Sequence, residues 1–327
     1  GGPQGMMIIE HAMDDIARHL GRDPLDIRKL NLYRPGRDTT HYGQTIEQHV
    51  LPELLEKLEA SSDYRKRRSD ITAFNQSSPI LKRGLALTPV KFGISFTAKH
   101  LNQAGALVNI YTDGSIQVNH GGTEMGQGLY IKVAQVVASA FQVDIERVKV
   151  SATRTDKVPN TSPTAASSGS DLNGMAALDA CEKLMAGLTE FAASHWSAAP
   201  EDVTFADNQV QINDLTMSWE TFIQSAYMNR IPLSSSGFYA TPKIHYDPKT
   251  GTGHPFLYYS NCAACSEVVV DTLTGEYRVM RTDILFDAGR SLNPEIDIGQ
   301  IEGGFVQGMG WLTTEELVYS NDGKLLT

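Results

Sequence analysis

From residue 81 onward, stretches with a two-residue apolar repeat alternate with stretches of helical repeat, and this interleaving constrains the fold more than any other feature. Residues 84–97 read as a strand. Residues 106–112 and 115–120 flank Asp113-Gly114, with Val108 and Ile110 alternating like Ile116 and Val118, the pattern of a hairpin closed by an Asp-Gly turn. The spacing predicts helices at about 127–141, 171–196 and 295–311, and a strand at 148–153. Two more strands, at 262–271 and 277–286, are joined through Thr274-Gly275. Strand pairs layered with helices point to an α+β fold of mixed sheets and away from an all-helical one. No short solenoid period is present.

Residues 1–80 have a helical texture. Ile9, Met13, Ile16 and Leu20 recur at helical spacing and predict a core-facing helix ended by Gly21. Asp23 and Pro24 supply an N-cap and a first-turn proline for a short helix carrying Leu25, Ile27 and Leu30. Ile46, Val50, Leu54 and Leu58 predict a third. The cluster Arg65-Lys66-Arg67-Arg68, flanked by Asp63 and Asp70, reads as a solvated helix end rather than a docking patch.

At 327 residues the chain exceeds one average domain, so two lobes are expected. A net charge of −10 leaves no broad basic surface for nucleic acid or an anionic membrane. Three cysteines cannot build a disulfide scaffold, which fits a reducing compartment, the cytoplasm. No apolar run approaches the roughly 18–20 residues that span a bilayer. The first residues, Gly1-Gly2-Pro3-Gln4-Gly5, are neither an initiator methionine nor a signal peptide. The end, Asp322 to Thr327, enters the second strand of a hairpin, so the chain is expected to be a piece of something longer.

Three segments could carry chemistry. Residues 121–128, Gly-Gly-Thr-Glu-Met-Gly-Gln-Gly, lie between a strand and a helix, where glycines allow close backbone approach and free N–H groups suit phosphate. The segment is neither a Walker A loop nor the dinucleotide fingerprint. Residues 158–170 are rich in small and hydroxyl residues, and also lead into a helix. Residues 299–310 form a third glycine-rich cradle whose glutamines can read amide-like edges. The nine histidines show no metal-ligand spacing. Cys262 and Cys265, three apart in a strand, point to opposite faces and are rejected as a zinc or dithiol site. Phe92 and Phe96 fall on one side by strand count, as core residues do, and no serine-hydrolase elbow is present.

These segments, together with Lys91 to Thr97 and Leu101 to Ala106, resemble in order the molybdenum-cofactor part of the xanthine dehydrogenase/aldehyde oxidase family. Within it they are most similar to the large, molybdopterin-binding subunit of bacterial xanthine dehydrogenases. The opening glycines and residues 23–32 add to the match, which covers nearly the whole chain.

The resemblance implies two related α+β lobes, with 1–80 the helical end of the first and 81–327 the second, truncated at its C-terminus. It implies that Met125, Gly126 and Gln127 contact the pterin, as does Gln300. It places the Ala166 main chain beside molybdenum, with Ala165, Ser167 and Ser168 as cofactor-contacting neighbours. Phe96 would sandwich the purine ring and Thr97 would hydrogen-bond the substrate. The implied reaction is hydroxylation of hypoxanthine or xanthine to urate with water as oxygen source. Electrons would leave through 2Fe-2S clusters and FAD to NAD, carried by other segments or a partner subunit in an oligomer. No catalytic residue is assigned, because the family's general-base glutamate lies in a Gly-Glu-Pro-Pro motif absent from this chain; Glu302 is not that residue. The fragment alone is therefore expected to be inactive. An aldehyde-oxidising relative, or a catalytically silent binding or assembly module, are the alternatives.

Overall fold

The computed structural model describes residues 2–327, so Gly1 of the opening motif lies outside the described residues. Helices α1 (Gly2–Leu20), α2 (Pro24–Leu30), α3 (Val50–Ser61) and α4 (Tyr64–Ser77) precede strand β1 (Leu81–Ile94). Strands β2 (Gln103–Ile110) and β3 (Ile116–His120), helix α5 (Leu129–Phe141), strand β4 (Val148–Val150) and helix α6 (Gly169–Trp196) follow. Next come β5 (Val203–Ala206), β6 (Gln209–Ile212), β7 (Leu215–Ser218), α7 (Trp219–Met228), β8 (Ser234–Ala240), β9 (His245–Asp247) and β10 (Thr252–His254). Strands β11 (Tyr258–Asp271) and β12 (Tyr277–Asp287) and helix α8 (Pro294–Thr313) complete an α+β chain of mixed sheets. It divides into two compact units, Gly1–Lys99 with Lys243–Gly289, and His100–Pro242 with Arg290–Thr327.

In the first unit, β1, β11 and β12 form an antiparallel sheet, with Leu81 opposite Asp271 and Ile94 opposite Tyr258. Leu85, Leu87, Ala263 and Cys265 pack against Leu25, Leu54, Leu55, Leu58, Tyr64 and Ile71 from the helices. Asn261, Ala263 and Cys265 are buried on one face of β11 while Cys262 is half-buried on the other, as the alternation requires. Asp23 caps α2 by accepting from the Leu25 N–H at 2.9 Å.

Four expectations are corrected here. α1 is not core-facing through its apolar stripe: Ile9, Ile16 and Leu20 are exposed. The acidic face turns inward because Arg28 of α2 is buried and must be paired, donating to Glu10 at 2.5 Å and Asp14 at 2.8 Å. Leu30 is likewise exposed, and Ile46, though buried, precedes α3. A longer α3 would drive the Pro52 ring into the carbonyl of residue 48. Residues 65–68 open α4 but are not a solvated end. Arg67 reaches Glu267 at 2.9 Å and Asp283 at 3.1 Å, Arg65 reaches Asp26 at 2.6 Å, and Arg68 reaches Asp23 at 3.2 Å. Lys66 alone makes only a surface pair, with Asp70. The cluster ties the helices to one another and to the sheet.

In the second unit the sheet order is β4-β3-β2-β8, with β2 antiparallel to β3 and β8, and β3 parallel to β4. Val108, Val118, Val133, Val137, Ala176, Ala180 and Leu184 fill the core shared with α5 and α6. That core continues onto β5-β6-β7 and α7 through Phe141, Phe222 and Trp219. Burying side chains of that size contributes on the order of 2–3 kcal/mol each. The Trp219 Nε1 donates to the Gly114 carbonyl at 2.9 Å. A Cβ at Gly114 (φ +80°) would meet the indole at 2.9 Å, so the Asp-Gly turn needs glycine for both conformation and space.

Candidate functional site

Because β3 and β4 are parallel, with Ile116 opposite Val148 and Val118 opposite Val150, their C-terminal ends share one edge of the sheet. Residues 121–128 leave that edge after β3, and residues 151–168 leave it after β4. The two segments touch. The Thr123 N–H donates to Thr164 Oγ1 at 2.8 Å, and a Cβ at Gly121 would fall 1.8 Å from Thr161 Cγ2. A Cβ at Gly122 would also clash, 2.5 Å from Leu129 and 2.6 Å from Asn173. Gln103, at the start of β2, anchors the second segment by accepting from Asn160 at 3.0 Å and Ser162 at 3.1 Å.

Helix α8 reaches the same edge. A Cβ at Gly128 would lie 2.6 Å from Ile296, Lys132 pairs with Asp297 at 2.8 Å, and Gln300 Nε2 donates to the Gly126 carbonyl at 3.3 Å. The three segments singled out in the sequence thus meet in one unit. Residues 299–310 lie in the interior of α8, the helix expected at about 295–311, rather than at a helix entry like the other two, and Asn293 and Pro294 start it by a cap and a first-turn proline. Glu302 is on that helix.

The first segment also differs from expectation. The N–H groups opening α5 are not free, because the Glu124 carboxylate accepts from Gly126 at 2.9 Å and from Gly128 and Tyr130 at 3.0 Å. Desolvation is the largest single effect and raises its pKa, but these bonds together outweigh it and hold the carboxyl below the usual range. An internal anion therefore occupies the positive end of the helix, and phosphate is not needed there. The readable signal was an acid four residues before Gly128. Gln127 spans the loop tip, accepting from the Met125 N–H at 2.6 Å and donating to the Thr123 carbonyl at 2.8 Å. Met125 is exposed.

In the second segment Ala166 and Ser167 both take φ +55°. Two successive non-glycine residues in the left-handed region cost on the order of 1–3 kcal/mol each, strain that the surrounding contacts must hold. Ser168 is buried and its Oγ donates to the Ala165 carbonyl at 3.1 Å, while Ala165 and Ser167 are exposed. Phe96 and Thr97 belong to the first unit. Strand β1 stops at Ile94 rather than at Thr97, broken at buried Ser95, whose φ is +136°. Phe96 is half-buried and Thr97 exposed in the bend that follows.

The profile described as molybdopterin cofactor-binding domain matches residues 57–327, and a second of the same description matches residues 1–32. The chain belongs to the molybdopterin cofactor-binding domain family. It is 46% identical over 327 residues to a xanthine dehydrogenase/oxidase of Felis catus, and 48% over 326 residues to a xanthine dehydrogenase of Drosophila pseudoobscura pseudoobscura. These alignments cover 100% and 99% of this chain and 23% of each relative, so the chain spans about a quarter of their length. Among solved structures, an aldehyde oxidoreductase from Desulfovibrio desulfuricans matches with TM-score 0.77 and 27% identity, over 95% of this chain and 31% of that one. A CO dehydrogenase from Oligotropha carboxidovorans shares the fold at TM-score 0.83 and 20% identity, over 99% and 41%.

The residues fit the family's cofactor. The edge carries the amides of Gln127 and Gln300, groups of the kind that complement a pterin's amide-like edge, and in this structure both are bonded to the loop's own main chain. It is also open: a Cβ at Gly126, Gly299, Gly303 or Gly304 would meet nothing within 4 Å. No group of three or more metal-ligating side chains gathers among the described residues, and no described helix is long and apolar enough to cross a membrane.

Proposed function

We propose that the protein carrying this chain is a molybdenum hydroxylase that oxidises hypoxanthine and xanthine to urate, taking oxygen from water. The observation that carries this is the meeting of residues 121–128, 151–168 and α8 at one sheet edge, through the Thr123–Thr164 and Gln300–Gly126 hydrogen bonds. The names of the similar relatives support the purine substrate.

In this reading Met125, Gly126, Gln127 and Gln300 hold the pterin, and the strained turn at Ala165 to Ser168 brings the Ala166 main chain beside the metal. The pterin carries the metal in this reading. When bound, the cofactor supplies the two-electron oxidising centre. The chain's own residues bind and orient: Phe96 stacks on the purine ring, and Thr97 hydrogen-bonds its edge. Residues 1–80 end one cofactor lobe and 81–327 form the next. The 2Fe-2S clusters, FAD and NAD site belong to other segments or a partner subunit, in a cytoplasmic oligomer.

Xanthine and an aromatic aldehyde, offered in competition to the whole protein, test the reading. Urate formation that persists supports it. Aldehyde consumption without urate moves the protein to the aldehyde-oxidising branch, and no turnover in a folded, cofactor-free preparation makes the chain a silent assembly module. Phe96→Ala should raise the KM for xanthine roughly tenfold, the loss of one stacking contact.

A further inference from the structure

His120 ends β3, immediately before the glycine pair, and is 3% exposed. Its Nδ1 accepts the Gly122 N–H at 3.0 Å, so the ring is neutral and its proton sits on Nε2. That Nε2 is buried with no hydrogen-bond partner, and the ring stands edge-on to Tyr130 with centroids 5.2 Å apart. The carbonyl of the same residue is also held, in the next peptide, since Thr153 Oγ1 donates to the Gly122 oxygen at 2.5 Å. Thr153 in turn meets the Tyr130 hydroxyl, Oγ1 at 2.9 Å and N–H at 3.1 Å. Tyr130 closes the circuit by donating its N–H to Glu124 at the loop tip. Gly122 is thus gripped at both of its main-chain polar groups, and the grip runs from strand end to helix start. Gly122 has no room for a side chain that could do the same.

We propose that His120 is a positioning residue of the cofactor cradle: as a neutral acceptor for Gly122 it fixes the path of residues 121–128, and cofactor retention depends on that hydrogen bond. The inference rests on reading 121–128 as a cofactor cradle. Protonation would turn Nδ1 into a donor facing a donor. Burial lowers the imidazole pKa to about 4; Glu124 is the charged group that faces it and pulls the other way, while Tyr130 and Thr153 are uncharged. The bond therefore holds at neutral pH and fails in acid.

The test uses the whole protein with His120→Asn, whose Oδ1 can stand where Nδ1 stands but does not titrate, and His120→Leu, which has no acceptor. Amide hydrogen exchange over residues 118–130 and bound molybdenum are both read. At pH 7, His120→Leu should exchange about tenfold faster and lose molybdenum, while His120→Asn keeps both. Below about pH 4 the wild type should lose protection in this segment and His120→Asn should not. Equal protection in His120→Leu and wild type, or the same acid loss in His120→Asn, would overturn the proposal. Should His120→Leu not fold, the acid profiles of the other two decide. Wild-type protein without molybdenum would instead sink the cofactor reading, and exchange would still decide the role of His120.

Discussion

Gly237 lies in β8 opposite Ala106, where strand and α6 meet. A methyl group there would fall 1.9 Å from the Ala176 carbonyl oxygen, 2.7 Å from the Ala180 nitrogen and 3.0 Å from its Cβ. The two nearest obstacles are helix backbone, which no rotamer change can move. Helix and strand would have to part by about 1.5 Å to reach ordinary contact. Around that point Val108, Ala176, Ala177, Ala180, Cys181 and Leu184 are all buried, so the separation loosens the whole layer. Gly237→Ala should cost about 3 kcal/mol, the upper end for overpacking, and lower the melting temperature by roughly 6–12 °C. Because α6 starts immediately after Ser168, the same shift displaces the Ala165 to Ser168 turn and weakens cofactor retention. Gly187→Ala is the control, since it sits in the same helix with nothing within 4 Å; it should raise stability by up to about 1 kcal/mol. Thermal unfolding and hydrogen exchange across 169–196 read both variants. A Gly237→Ala protein melting like the wild type would refute the close packing of α6 on β8.

Arg67→Met leaves Glu267 and Asp283 mostly buried; Arg83 and Arg281 stay near them, so a loss of about 3 kcal/mol is expected in denaturant titration, against less than about 0.5 for Lys66→Ala. The folded pKa of His120, about 4, lies below its ordinary 6.5, so its contribution is fully present above about pH 6.5 and lost as pH falls toward 4. That loss amounts to about 3 kcal/mol, and a stability–pH curve for His120→Asn should lack it. Burial raises the thiols of Cys181, to about 12, and of Cys262 and Cys265, so none should react quickly with iodoacetamide at pH 8 in the native protein. Rapid labelling of Cys181 would contradict its burial. Glu124→Gln removes the internal anion from the start of α5 and should cost about 1–2 kcal/mol, read as faster exchange at residues 126–130.

Local chemistry was the legible part. The hairpin at Asp113-Gly114, the cap at Asp23 and the approximate ends of α5, α6 and α8 follow from signals within a few residues. What depended on distant partners was not. The inward face of α1 is chosen by Arg28, fourteen and eighteen positions away from the residues it pairs with. The strands β5, β6 and β7 have four residues each, too few for a period to stand out. The parallel pairing of β3 with three-residue β4 brings two cradle segments to one edge, and nothing local in β4 announces it. Residues 299–310 fall within the helix expected at 295–311, but their five glycines, at roughly 1 kcal/mol each, cost more than the Asn293-Pro294 start returns, so the packing of Ile296 and the Lys132–Asp297 pair help hold α8. Glu124 was visible only as one acid among many, and its role needed the loop to close on it.

Three separated segments that together form one molybdenum-cofactor site should hold one metal per chain. The most direct measurement is the molybdenum-to-protein ratio of the whole protein, isolated with its natural partners from molybdate-replete cells. A ratio near one, falling in Gly237→Ala, is the expected result. Folded protein without molybdenum would contradict the claim.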